Sequence, residues 1–170
     1  MKSLNTIAFY IFIIGLLAFE STLYSQTKES KPADDSQCGE QLMETMSALA
    51  GTNLFQVYLA ITIMNDNVDN TENYEIFDGV LFTLNKQLQS LSEHLTKFNK
   101  SKYLTKEDFE YIFQLKDIIF LLEEDIRLFR IFLGKEDDES YKEFFLNHNK
   151  VYKMIDDVME LEDIEENGEE

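Results

Sequence analysis

The spacing of apolar residues between Thr105 and Gly134 constrains this chain more than any other feature. Ile112, Leu115, Ile119, Leu122, Ile126, Phe129 and Leu133 recur at intervals of 3, 4, 3, 4, 3 and 4. A helix turns once in about 3.6 residues, so this alternation lines one seam of a helix packed lengthwise against other helices. Phe113, Ile118, Phe120, Leu121, Leu128 and Phe132 flank the seam. The apolar surface is therefore too broad for one partner helix and calls for neighbours on more than one side. Thr105 with Asp108 three residues later forms a capping-box pattern with Asp in place of Glu, and Gly134 suits the left-handed residue after a helix end.

Three further stretches share this periodicity. Ser36 suits the cap of a first helix reaching about Met64, with Met43, Met46, Ala50, Leu54, Val57, Ile61 and Met64 in its stripe. The small side chains of residues 47–52, Gly51 among them, leave a notch where another helix can approach closely. A second helix over about 73–99 places Tyr74, Phe77, Leu81, Leu84, Leu88, Leu91, Leu95 and Phe98 in an unbroken 3–4 repeat. A fourth, from about Ser140, sets Tyr141, Phe144, His148, Val151, Ile155 and Val158 in its seam, after a turn over residues 135–139. Helices of this length joined by short connections specify an all-α, antiparallel up-down-up-down four-helix bundle. No alternating strand pattern competes with it.

Residues 1–25 read as a secretory signal peptide: an early Lys2, an apolar run from Ile7 to Phe19, and Ser25 as the last residue before cleavage. The run is short for a membrane span of about 20 residues, so membrane attachment is expected only if this segment stays uncleaved. Residues 26–36 hold the chain's one Pro, Pro32, among charges, and read as a flexible linker. The bundle occupies 37–164. Asp156 to Glu170 carries nine acidic residues and no basic one, which opposes the dipole at a helix C-terminus and leaves 165–170 as an acidic tail. The expected location is exported, periplasmic or secreted.

The formal charge of −18 survives cleavage, since Lys2 and Glu20 leave together. Such a surface repels nucleic acid and anionic headgroups, so no nucleic acid is expected as a partner. With one Cys the chain forms no internal disulfide. Cys38 is instead the candidate for an intermolecular disulfide, and through it for a homodimer. Catalysis by Cys38 at a helix N-terminus is the weaker use of it, with no local signature in support.

Motifs for cofactors and metals do not assemble. Asn65 to Asn73 lacks the turn Gly and the bidentate Glu of a calcium loop. His94 and His148 fall on helices expected to run parallel, at heights differing by about 20 Å for a rise of 1.5 Å per residue, too far for one ion. Leu91 and Phe145 stand where di-iron bundles place Glu. No cofactor and no metal is expected, and the chain reads as a non-enzyme. The functional expectation is an exported bundle that binds a macromolecular partner, a protein, at the cell envelope or outside the cell. Leu121 and Leu128 are the candidate contacts if the bundle leaves them exposed. The alternative is a carrier of a small apolar ligand in the core, for which the 14 Phe, 8 Tyr and 6 Met supply the lining.

Overall fold

The computed structural model describes residues 35–70, 74–101 and 104–159. The chain divides into two units, Met1–Cys38 and Gly39–Glu170, and the following concerns the second. The expected signal peptide, the expected linker up to Asp34 and the expected acidic tail over 165–170 lie outside the described residues. Among those described, the protein is all helical, with no strand: α1 (Asp35–Asp66), a 3-10 turn (Val68–Asn70), α2 (Glu75–Phe98), α3 (Lys106–Lys135) and α4 (Asp138–Met159).

α3 begins where its capping residues direct. The Thr105 hydroxyl accepts the Asp108 N–H at 3.2 Å while the Asp108 carboxylate accepts the Thr105 N–H at 2.7 Å, so two orphan donors of the first turn are satisfied reciprocally. Its end differs from expectation. The helix runs through Gly134 to Lys135, and Glu136 takes the left-handed conformation at φ 52° and ψ 34°, its N–H donating to Phe132 O at 2.8 Å. The carbonyl of Phe132 needs a donor four residues on, and Glu136 is the residue in that place. α1 begins at Asp35, which puts Ser36 inside the helix rather than at its cap. The third connection is also shorter than expected. Asp137 caps α4, its carboxylate accepting from the Ser140 N–H and from the Ser140 hydroxyl, both at 2.7 Å.

The core is built from the predicted seams. Ile112, Leu115, Leu122 and Phe129 of α3 are 0% exposed, as are Ile61, Met64, Leu81, Leu88, Phe144, Val151 and Ile155 from the other helices. Each such side chain contributes roughly 1.5–3 kcal/mol relative to exposure. Among the residues whose side chains are described, α3 carries the most buried ones of the four helices, in keeping with its broad apolar surface. α1 is apolar and long enough, over Gly39–Asp66, to cross a membrane by length and composition, a test that bundle core helices also pass.

Contacts between helices pair rising numbers with falling ones. Phe129 and Phe132 of α3 meet Phe144 and Tyr141 of α4 at ring separations of 4.9 and 5.0 Å. Thr96 and Asp78 of α2 meet Lys116 and Arg130 of α3. Tyr58 of α1 lies 5.7 Å from Tyr152 of α4, and seven residues earlier the notch at Gly51 is filled by Met159, whose Cγ and Sδ would each lie 3.4 Å from an added Cβ.

Candidate functional site

α3 has more than one seam. Besides the first, Ile118, Leu121, Asp125, Leu128 and Phe132 repeat at 3, 4, 3 and 4, and this second seam faces α4. It explains why Leu121 and Leu128 are only 8% exposed each: they pack inward, and the exposure on which their role as partner contacts depended is not met. At its centre stands a carboxylate. Asp125 is fully buried, and its partners come from α4.

His148 Nδ1–H donates to Asp125 Oδ2 at 2.6 Å, and the Asn147 amide donates to Asp125 Oδ1 at 3.0 Å and to Leu121 O at 3.1 Å. On the other side of the imidazole, Nε2 lies 3.0 Å from the Thr62 hydroxyl of α1, whose oxygen is also 3.1 Å from Tyr58 O. The Tyr58 ring stacks on the imidazole, with centroids 4.3 Å apart and planes 16° apart. Burial raises the Tyr58 hydroxyl above its ordinary value, against the opposing hydrogen bond with Thr62. Three helices thus meet in one connected polar group.

Carboxylate, imidazole and hydroxyl stand in the order of a nucleophile–base–orienter relay. Two features separate this cluster from a working acyl-transfer site. His148, which would have to pass the hydroxyl's proton on to a leaving group, is 5% exposed. Thr62 sits in mid-helix, where backbone N–H groups are bonded within the helix and none is free to stabilise an oxyanion. What the arrangement does is tie α1, α3 and α4 at one height with every member satisfied, which specifies how the helices register.

The other candidates read from the sequence stay apart. His94 is exposed on α2, its ring Nδ1 2.7 Å from Ser90 O, and does not join His148. Among the described residues no three His, Cys, Asp or Glu side chains gather as metal ligands. The side chain of Cys38 lies outside the described residues, and the intermolecular disulfide expected of it with it.

A third seam runs along the outside of α3. Glu110, Phe113, Asp117, Phe120 and Glu124 repeat at 3, 4, 3 and 4, and Phe113 and Phe120 are 56% and 67% exposed. At its C-terminal end Arg127 pairs with Glu124 through two contacts of 2.6 and 2.7 Å, which holds the Glu124 carboxyl below its ordinary range. Beside the seam, between α2 and α3, lies an open groove of about 420 Å³ lined by Asn85, Glu123, Ile126, Arg127, Arg130 and Ile131. Arg130 is held there by Asp78, with Nε 2.8 Å from its carboxylate. Across the protein's surface other large apolar side chains are also exposed, Phe82 on α2 and Leu146 on α4 foremost.

No family model, no curated protein and no solved structure matches this chain.

Proposed function

We propose that this is an exported, non-enzymatic binding protein, released by a signal peptide, whose four helices run up-down-up-down and which docks a macromolecular partner at the cell envelope or outside the cell. The observation that carries the reading is the outward seam of α3. Two phenylalanines one heptad apart stand more than half exposed, on a helix whose other two seams already bury its core and hold α4. Isolated exposed apolar residues need no explanation, but aromatic residues repeated along one helix face match the helix-to-helix mode of recognition. The opposed numbering of the α1/α4, α3/α4 and α2/α3 contacts supports the up-down order.

A carrier role has weaker support. The seams that would line an internal ligand are filled by Phe129, Phe144, Leu54, Ile61 and Leu122, each no more than 1% exposed. The test is a comparison of the protein with the double variant Phe113→Ser, Phe120→Ser, both immobilised and exposed to the extracellular and envelope fractions of the producing organism. A protein held by the parent and lost from the variant, with unchanged thermal unfolding, is the expected result. Equal retention by both, or by neither, overturns the reading.

A further inference from the structure

The outward seam of α3 sets Glu110, Asp117 and Glu124 around its two phenylalanines. Glu110 pairs with Lys106 at 3.2 Å and Glu124 with Arg127 at 2.6 Å, which leaves Asp117, between Phe113 and Phe120, as the acid of the seam that no described cation pairs; the occupant it fits presents a basic residue beside an apolar one, along one helix face. The chain itself carries such a face. On α4, Lys142, Leu146, Lys150 and Lys153 fall at intervals of 4, 4 and 3, which places them on one side of a helix. All four are exposed, and Leu146 is 62% exposed. This side of α4 points away from its buried residues Phe144, His148, Val151 and Ile155, and away from Asn147, which reaches α3. In a chain of net charge −18, Lys142, Lys150 and Lys153 outnumber Glu143 around the exposed leucine, with Glu139 and Asp157 bounding the same side of the helix at either end.

We propose that the occupant of the α3 seam is a second copy of this chain, offering its α4 face. The inference rests on the reading of the seam as a binding surface and names what binds it. Leu146 of the second copy seats among Phe113 and Phe120, while Lys142 and Lys150 lie one helical turn to either side of it, within reach of Asp117. The apolar contact supplies attraction and the flanking charges supply register and orientation. An arrangement of two α3 seams facing each other is disfavoured, because it brings Asp117 of both copies to the same level, like charge against like.

The two faces are different surfaces of one molecule, so the contact is heterologous. Each copy retains an unused seam and an unused lysine face, and growth continues until a ring closes or a filament forms. A contact made by one helix on each side lies at the small end of interface sizes, below about 1,200 Å² in total. Association is therefore expected at tens to hundreds of micromolar, in line with weak, transient encounters.

The experiment is sedimentation equilibrium of the whole purified chain at about 10–500 μM, with reductant present so that Cys38 contributes no link. The parent is expected to rise in mass with concentration. Phe120→Glu disables the seam and Leu146→Glu disables the lysine face; each alone is expected to remain a monomer. Mixed in equal amounts, they are expected to form a one-to-one dimer and stop there, because the intact seam of one receives the intact face of the other. Thr83→Glu, exposed on α2, adds the same charge elsewhere and is expected to associate as the parent does. Unchanged thermal unfolding of each variant shows that it is folded. A parent that stays monomeric throughout the range, either single variant that still associates, or a mixture that stays monomeric while the parent associates overturns the proposal. Should the parent be monomeric while Phe113→Ser, Phe120→Ser loses a captured protein, self-association fails and the binding function stands.

Discussion

Replacing His148 by Leu is expected to destabilise the protein far more than the loss of one hydrogen bond would. The imidazole holds Asp125 Oδ2 at 2.6 Å and lies 3.0 Å from the Thr62 hydroxyl. Its removal leaves a fully buried carboxyl with the Asn147 amide alone. Breaking a buried pair from one side costs about 3–5 kcal/mol, a large part of the roughly 5–15 kcal/mol that holds a domain folded. Asp125→Leu removes the carboxyl and leaves the imidazole its Thr62 contact, so its cost is smaller, about 1–3 kcal/mol for the groups left unsatisfied. The double replacement Asp125→Leu, His148→Leu removes both partners from an apolar surround and is expected to be more stable than His148→Leu alone. Urea unfolding of the four proteins gives the cycle, with a coupling of about 0.5–3 kcal/mol expected for residues in one network. Costs that simply add within about 0.5 kcal/mol would refute the claim that the pair acts as a unit.

Two smaller predictions concern helix ends. Glu136→Gly is expected to stabilise the protein by about 1 kcal/mol, since a glycine takes the left-handed conformation at φ 52° without a Cβ penalty; an unchanged or lowered urea midpoint counts against it. Asp137 accepts two hydrogen bonds from Ser140, which depress its carboxyl below the ordinary Asp value of 3.8. A depressed carboxyl contributes stability that is present above that ordinary value and is lost as pH falls through the lower folded value. NMR titration of the Asp137 carboxyl is expected to show a midpoint below that of the same residue in the urea-unfolded chain, and a midpoint at or above it contradicts the capping geometry.

Much of the architecture is legible in residue spacing. Helices bury stripes, and a stripe at 3–4 spacing can be read without a structure, as the seams of α2 and α3 and the Thr105–Asp108 cap show. Helix ends are less legible. Gly134 has the better intrinsic propensity for the left-handed position, yet the helix runs two residues further than that would allow and Glu136 occupies it. Leu121 and Leu128 look like a flank with an open role as long as only the first seam is followed; the second seam is what buries them. That second seam also holds the signal for the polar cluster: Asp125 is a charge at the centre of an otherwise apolar repeat, and His148 interrupts the seam of α4. Two polar residues in two facing seams invite pairing. Nothing local marks Thr62, Tyr58 or Asn147 as their companions.

The amino-acid sequence determined, by itself, that the chain would form four long amphipathic helices and where most of their buried residues would fall. Periodicity is a local property, and burial of an apolar stripe follows from it whatever the partner. Which side chains meet across helices was decided only by the tertiary structure. Asp125, His148 and Thr62 lie on three helices separated by 23 and 86 residues along the chain, and their contact depends on the rotation and height at which those helices pack. The same packing decided which of the α3 seams stayed outside. All three have helical spacing; rotation about the helix axis settled which one no other described helix covers.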